Sequence, residues 1–186
     1  MLAQDPNQQI VKLNKGRLLL GIGRPHEALQ FLAEVQNAHK TAWRPVAVAY
    51  LAAKQPQKAL QILLPLWPSA DTVVDRIRIG ELLLEAYTAL GQTEPAEAIA
   101  CTLESNYPDD AEAAAIAAEW RASQPQQTER ALSLLYGAVA KAADDRQRDR
   151  INLLLADFFY QNHRFAEAAD VYRSPASSNH PVITKR

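Results

Sequence analysis

One figure recurs along this chain and limits what it can fold into: an apolar helix-forming stretch, a tight turn, then a small residue on the first turn of a second helix. The turns Gly23-Arg24-Pro25-His26-Glu27-Ala28-Leu29, Lys54-Gln55-Pro56-Gln57-Lys58-Ala59-Leu60, Gly91-Gln92-Thr93-Glu94-Pro95-Ala96 and His163-Arg164-Phe165-Ala166-Glu167-Ala168 are variants of it. Gln127-Thr128-Glu129-Arg130-Ala131-Leu132 is a weaker fifth copy. The alanines at 28, 59, 96, 131 and 168 are separated by 31, 37, 35 and 37 residues, a length that holds one helical hairpin. A hairpin of this size cannot bury its apolar face alone, so successive copies must stack.

The spacing inside each copy has a physical cause. Two antiparallel helices approach closely only where a small side chain sits at the crossing, and a large residue three or four positions away fills the adjacent hollow. Gly16, Ala47, Ala156 and the five turn alanines are the small residues, and Leu19, Tyr50, Tyr87 and Phe159 the large ones. Pro25, Pro56 and Pro95 fall at the starts of second helices, where a missing N–H costs nothing. Pro6, Pro68 and Pro108 separate the copies, and Thr41, Asp71, Asp109 and Asp144 stand in capping positions.

These signals predict ten helices in five pairs: 8–22 with 25–37, 41–53 with 56–67, 71–90 with 94–106, 110–122 with 128–143, and 146–162 with 165–173. Pro65 is expected to kink or end the second helix of its pair. The Gln124-Pro125-Gln126-Gln127 loop stretches the fourth copy.

In one copy the residues match a known pattern nearly position for position. Trp43-x-x-Val46-Ala47-x-x-Tyr50 followed by Ala59-x-x-x-Leu63 resembles the W-x-x-L-G-x-x-Y and A-x-x-x-F signatures of the tetratricopeptide repeat. Partial matches elsewhere are Gly16, Leu19 and Ala28; Tyr87, Gly91, Ala96 and Pro108; and Ala156, Phe159, Ala168 and Tyr172. The resemblance implies an all-α, right-handed α-solenoid of about five antiparallel helix pairs forming a superhelix. Its repeats would run over about 8–38, 40–68, 71–108, 110–143 and 146–174 in a single domain. With Asp5-Pro6 placed as a preceding repeat would end, and no obvious capping helix after Ser174, a fragment of a longer array is expected, with self-association through uncapped ends.

Little is left over for chemistry. His26, His39, His163 and His180 are scattered, and neither a His-Glu-x-x-His nor a Cys-x-x-Cys occurs. Gly21-x-Gly23 follows a helix rather than a strand and lacks a third glycine, so it reads as helix termination rather than a phosphate loop. Cys101, between Ala100 and Leu103, reads as a small core hydrophobe. Asp109-Asp110 and Asp144-Asp145 read as helix caps, and Arg146, Arg148 and Arg150, interleaved with Asp149, as a salt-bridged helix start. Trp43 takes the family's packing position, whereas Trp120, after an alanine-rich stretch, is less firmly a core residue. No catalytic residue, metal or cofactor is expected.

A formal net charge of −1 leaves no basic field for a phosphate backbone, which argues against nucleic acid. No apolar run approaches the roughly 20 residues that cross a bilayer, and the N-terminus lacks the basic-then-apolar order of a signal peptide, so membrane insertion is not expected. The compartment stays open between cytoplasm and periplasm.

What the resemblance does imply is a protein or peptide partner held in a concave groove lined by first helices. Carried over position by position, the groove residues are Leu13, Arg17 and Leu20, then Arg44, Val48 and Leu51, then Arg78, Glu81, Glu85 and Thr88. The fourth repeat supplies Glu112, Glu119 and Ser123, and the fifth Arg150, Asp157, Tyr160 and Gln161. The Lys and Asn with which some members grip a chaperone's C-terminal carboxylate are replaced by Leu13 and Arg17, so that clamp is not expected. Related arrays occur in exopolysaccharide-export and envelope-assembly proteins. The alternative is a regulatory array joined to a catalytic or DNA-binding domain.

Overall fold

The computed structural model describes residues 6–35 and 42–173. Among these, ten α-helices and no strands are present: α1 (Pro6–Gly21), α2 (Pro25–Val35), α3 (Trp43–Ala52), α4 (Pro56–Leu66), α5 (Val73–Ala89), α6 (Thr93–Asn106), α7 (Ala111–Ala122), α8 (Thr128–Lys141), α9 (Asp145–Gln161) and α10 (Phe165–Arg173). Thr41, His39 and His180 lie outside the described residues. Internal contacts divide the chain into two compact units, Met1–Ile99 and Ala100–Arg186.

In the first unit α1 packs on α2 and α3 on α4, with α2 against α3 and α4 against α5. The first helices also touch one another, α1 with α3 and α3 with α5, so they form a continuous wall. The second unit repeats this scheme: α7 packs on α8, α8 on α9 and α9 on α10, while α7 meets α9.

Four of the five hairpin turns share one backbone solution. Gly23, Lys54, Gly91 and His163 each adopt the left-handed region, with φ of 74°, 59°, 68° and 59°. Each follows the end of a first helix and stands two residues before the second begins. The N–H of the next residue donates to the carbonyl five positions back: Arg24 to Leu19, Gln55 to Tyr50, Gln92 to Tyr87 and Arg164 to Phe159, at 2.8–2.9 Å. The left-handed residue itself donates to Leu20, Leu51, Thr88 or Tyr160 at 2.9–3.1 Å. This double closure satisfies carbonyls that a helix end would leave unpaired. It also ties the turn to the large residues Leu19, Tyr50, Tyr87 and Phe159 that the repeat pattern singles out. Two of these turns carry a matching ion pair from the last turn residue to the first turn of the second helix, Arg24 with Glu27 and Arg164 with Glu167.

The small residues do what their spacing requires. A Cβ on Gly16 would come within 2.6 Å of Leu32 Cδ2. Ala28, Ala47, Ala59, Ala96, Ala131 and Ala156 are fully buried. One core cluster joins Leu13, Ala28, Leu32, Val35, Val46 and Ala49, with Leu19 and Tyr50 packed against it. Another, in the second unit, joins Ala118, Leu132, Leu135, Ile151, Leu155, Phe158 and Phe159. Each large aliphatic side chain fully buried in this way contributes about 1.5–3 kcal/mol.

Several expectations are corrected. Leu13 and Leu51 are core residues, 3% and 7% exposed, and Leu13 shares a cluster with Ala28, Leu32 and Val35 of α2. Trp120 is buried at 6% and belongs to the interior. Two caps shift by one residue: Thr72 rather than Asp71 accepts the Asp75 N–H (3.0 Å), and Asp110 rather than Asp109 accepts from Glu112 and Ala113 (2.9 Å each). Asp144 caps α9 through the Gln147 N–H at 2.7 Å, as the sequence suggests. Pro65 stands in the last turn of α4, which ends one residue later at Leu66, in keeping with the expectation that it ends the helix.

Candidate functional site

On the wall of the first unit, Arg17 is an exposed residue of α1, Arg44 an exposed and Val48 a half-buried residue of α3. Arg78, Glu81 and Glu85 follow at i, i+3 and i+7 on α5, which places them on one side of that helix. Arg78 Nη1 donates to Glu81 Oε2 at 3.1 Å. The Glu85 carboxyl is held above its ordinary value, first by partial desolvation on this wall and then by the charge of Glu81, while Lys54 pulls it down. This wall therefore carries both signs of charge.

The second unit presents a different surface. Between α7 and α9 lies a hollow of about 150 Å³. Its floor is apolar, formed by Ala118, Ala122, Leu135, Leu154 and Phe158, and its rim carries Glu119, Asp157 and Gln161. Alanines at 118 and 122, one turn apart on α7, leave the space that larger side chains would fill. Asp157 is steadied by the Tyr172 hydroxyl, which donates to its Oδ1 at 2.9 Å. Asp157 and Gln161, expected on the groove, thus meet at one site. Tyr160 does not join them: it is 62% exposed and its ring packs edge-on against Phe165 at 5.3 Å.

The strongest electrostatic feature of this unit stands apart from the hollow. Arg121 is fully buried, yet its guanidinium is enclosed by partners: Nε donates to Glu104, Nη1 to Gln127, and Nη2 approaches Cys101 Sγ at 3.4 Å. The second oxygen of Glu104 accepts from Arg130 Nε at 3.1 Å and Nη2 at 2.5 Å. Enclosure of this kind keeps a buried cation tolerable. Cys101 is exposed at the edge of this cluster, so its reading as a core residue is corrected: α6 turns it outward beside Arg121 instead of toward Leu103. Arg148 pairs with Asp145, and Arg150 with Glu112 on α7.

Among the described residues no group of three His, Cys, Asp or Glu side chains converges as a metal site. Among the same described residues no helix is long and apolar enough to cross a membrane.

No protein-family model matches the sequence, and no curated protein matches it. Solved structures do resemble the fold. A putative kinesin light chain from Podosopora anserina with nearly identical TPR-like repeats aligns with a TM-score of 0.64 at 22% identity, over 91% of this chain and 93% of that one. MamA from Desulfovibrio magneticus RS-1 aligns at 0.57 and 16% identity over the same shares, and MamA from AMB-1 at 0.53 and 14% identity over 97% and 98%. The fold is that of tetratricopeptide-type helical repeats.

Of the groove residues expected from sequence, all but Ser123, the residue that closes α7 at its C-terminal end, lie on first helices, α1, α3, α5, α7 and α9. Sequence reasoning missed the floor of the hollow. Leu135 comes from a second helix, and Phe158 stands beside the Phe159 that carries the repeat pattern. It also missed Arg121, whose partners lie on two other segments. The alanine pair at 118 and 122 is the one local signal that marks the hollow.

Proposed function

We propose that this chain is a non-catalytic protein-interaction scaffold whose first-helix walls hold a partner protein or an extended peptide. The observation that carries the reading is the contact of first helix with first helix in both units, α1 with α3, α3 with α5 and α7 with α9. Such contact sets side chains from successive pairs side by side on a surface that an extended segment can follow. Arg17, Arg44, Val48, Arg78, Glu81 and Glu85 are the partner-facing residues of the first unit in this reading, and Asp157, Tyr160 and Gln161 those of the second. A place within an envelope or exopolysaccharide-export assembly is the finer proposal, supported by the repeat resemblance alone.

The test is affinity capture from the source organism with the parent chain, with Arg17→Glu/Arg44→Glu, and with the second-helix control Gln57→Glu/Gln61→Glu. Circular dichroism confirms that each variant keeps its helicity. The proposal expects a partner held by the parent and the control and lost from the wall variant. A partner lost only from the control would overturn the assignment of the walls.

A further inference from the structure

The hollow between α7 and α9 allows a narrower statement about what the second unit grips, resting on the scaffold reading above. At about 150 Å³ it is well below the roughly 300 Å³ at which small-molecule pockets begin. A space of that size admits a group about as large as benzene, which is one side chain. Its two surfaces ask different things of that side chain. The apolar floor, with Leu135 and Phe158 buried and Leu154 half-buried, favours a stem or a flat face that leaves water. The rim offers two carboxylates, Glu119 on α7 and Asp157 on α9, with the amide of Gln161 one turn beyond Asp157.

An apolar side chain would match the floor and gain nothing from the rim carboxylates, and an acidic one would be repelled by them. A lysine brings a compact, strongly hydrated charge to two acceptors on different helices. An arginine suits both surfaces: its stem and planar face lie against aliphatic and aromatic groups, and its five donors fan out toward several acceptors at once. The Tyr172 hydroxyl already held by Asp157 does not exhaust that carboxylate, which accepts about four hydrogen bonds.

We infer that the α7–α9 hollow is a specificity pocket for one arginine side chain carried on an extended partner segment. Arginine is thereby the anchor residue of the second unit, with the neighbouring partner residues running along the α7 and α9 wall.

The experiment selects binders from a random peptide library on the full chain and then measures a selected peptide by fluorescence anisotropy against a copy with its arginine replaced by citrulline. Citrulline keeps the shape and removes the charge. The same peptide is measured on Glu119→Gln, on Glu119→Gln/Asp157→Asn, and on Ala122→Phe, which fills the hollow without touching the acids. Thermal melts accompany each variant. Selection of peptides with one recurrent arginine beside apolar residues is expected. Affinity should fall about tenfold or more with citrulline, with the double variant and with Ala122→Phe, and weaken as salt is raised. Selected peptides without a recurrent arginine, or equal binding of the citrulline peptide or by folded Glu119→Gln/Asp157→Asn, would overturn the inference. The wall reading would still stand if those peptides were lost on Arg17→Glu/Arg44→Glu. A library that yields no binder also overturns the arginine pocket, while the scaffold reading is then judged by the capture experiment above.

Discussion

In the second helix pair, α3 and α4, the turn closes on Tyr50 and Leu51 through Gln55 and Lys54, and the interior is apolar, with Val46, Ala47, Ala59 and Leu63 fully buried. The fourth pair, α7 and α8, has no such closure. Pro125 removes a donor from its turn, and Gln126 takes the left-handed conformation at φ 68° within a loop whose bonds run from Gln124 to Arg121 and from Gln127 to Gln124. Its first helix is lined with alanines, and its end is fastened by the buried Arg121, which draws in Glu104, Gln127 and, through Glu104, Arg130. One pair is held by local turn chemistry and complementary volumes, the other by a longer-range ionic cluster. A single repeat scheme thus tolerates two ways of locking a hairpin, and the alanine-rich one borders a hollow.

The contrast is broken most severely at Arg121. Arg121→Ala removes the guanidinium shared by the partly buried Glu104 and Gln127 side chains, so it should cost about 3–5 kcal/mol. Urea unfolding followed by amide exchange in the second unit checks this, and a loss under about 1 kcal/mol would mean that the cluster is not what fastens the pair. Gly16→Ala tests packing in its purest form, because the added methyl meets Leu32 while helix propensity improves. Overpacking of about 1–3 kcal/mol outweighs the propensity gain of up to about 1 kcal/mol, so a net loss is expected in a thermal melt. A gain would show that Leu32 moves aside at little expense.

A smaller effect separates the turns themselves. Lys54→Gly relieves a left-handed lysine inside a doubly bonded turn and should stabilise by about 0.5 kcal/mol. Gln126→Gly, in the looser loop, should gain less, because that loop lacks the double closure that holds Lys54 in its left-handed conformation, while the freedom glycine adds to the unfolded chain is common to both. Equal gains in the two midpoints of denaturation would erase the distinction between the turns.

The smallest effect is a pH slope at Glu85. Its folded-state carboxyl titrates above the ordinary 4.5, raised by desolvation and Glu81, so the folded chain holds that proton more tightly than the unfolded chain does. Stability from this group is greatest in acid and declines as pH rises from the unfolded value through the folded one. Glu85→Gln removes the decline. Its melting temperature relative to the parent should therefore rise between about pH 4 and neutrality, and a constant difference would contradict the assignment.

The second pair was legible in the sequence almost completely, because Trp43, Ala47, Tyr50 and Ala59 act over one or two helical turns and leave a spacing that can be read. Second-helix starts were equally legible where Pro25 and Pro56 mark them. The fourth pair was not. Nothing local distinguishes Arg121 from a solvated arginine on an alanine-rich helix, since its burial depends on Glu104 seventeen positions earlier and Gln127 beyond the turn. Cys101 was misplaced for the same reason. The walls were legible as sets of first-helix residues, but the hollow was not, because Leu135, Leu154 and Phe158 meet at Ala118 and Ala122 only once three helices have packed.

The central claim is that first helices meet the partner and second helices do not. A photo-crosslinking amino acid placed in turn at Arg44 and Gln161, on first helices, and at Gln61 and Ala140, on second helices, tests it in the presence of the captured partner. Adducts from the first two positions and none from the second two are the predicted result. Adducts from Gln61 and Ala140 with none from Arg44 and Gln161 would contradict the account.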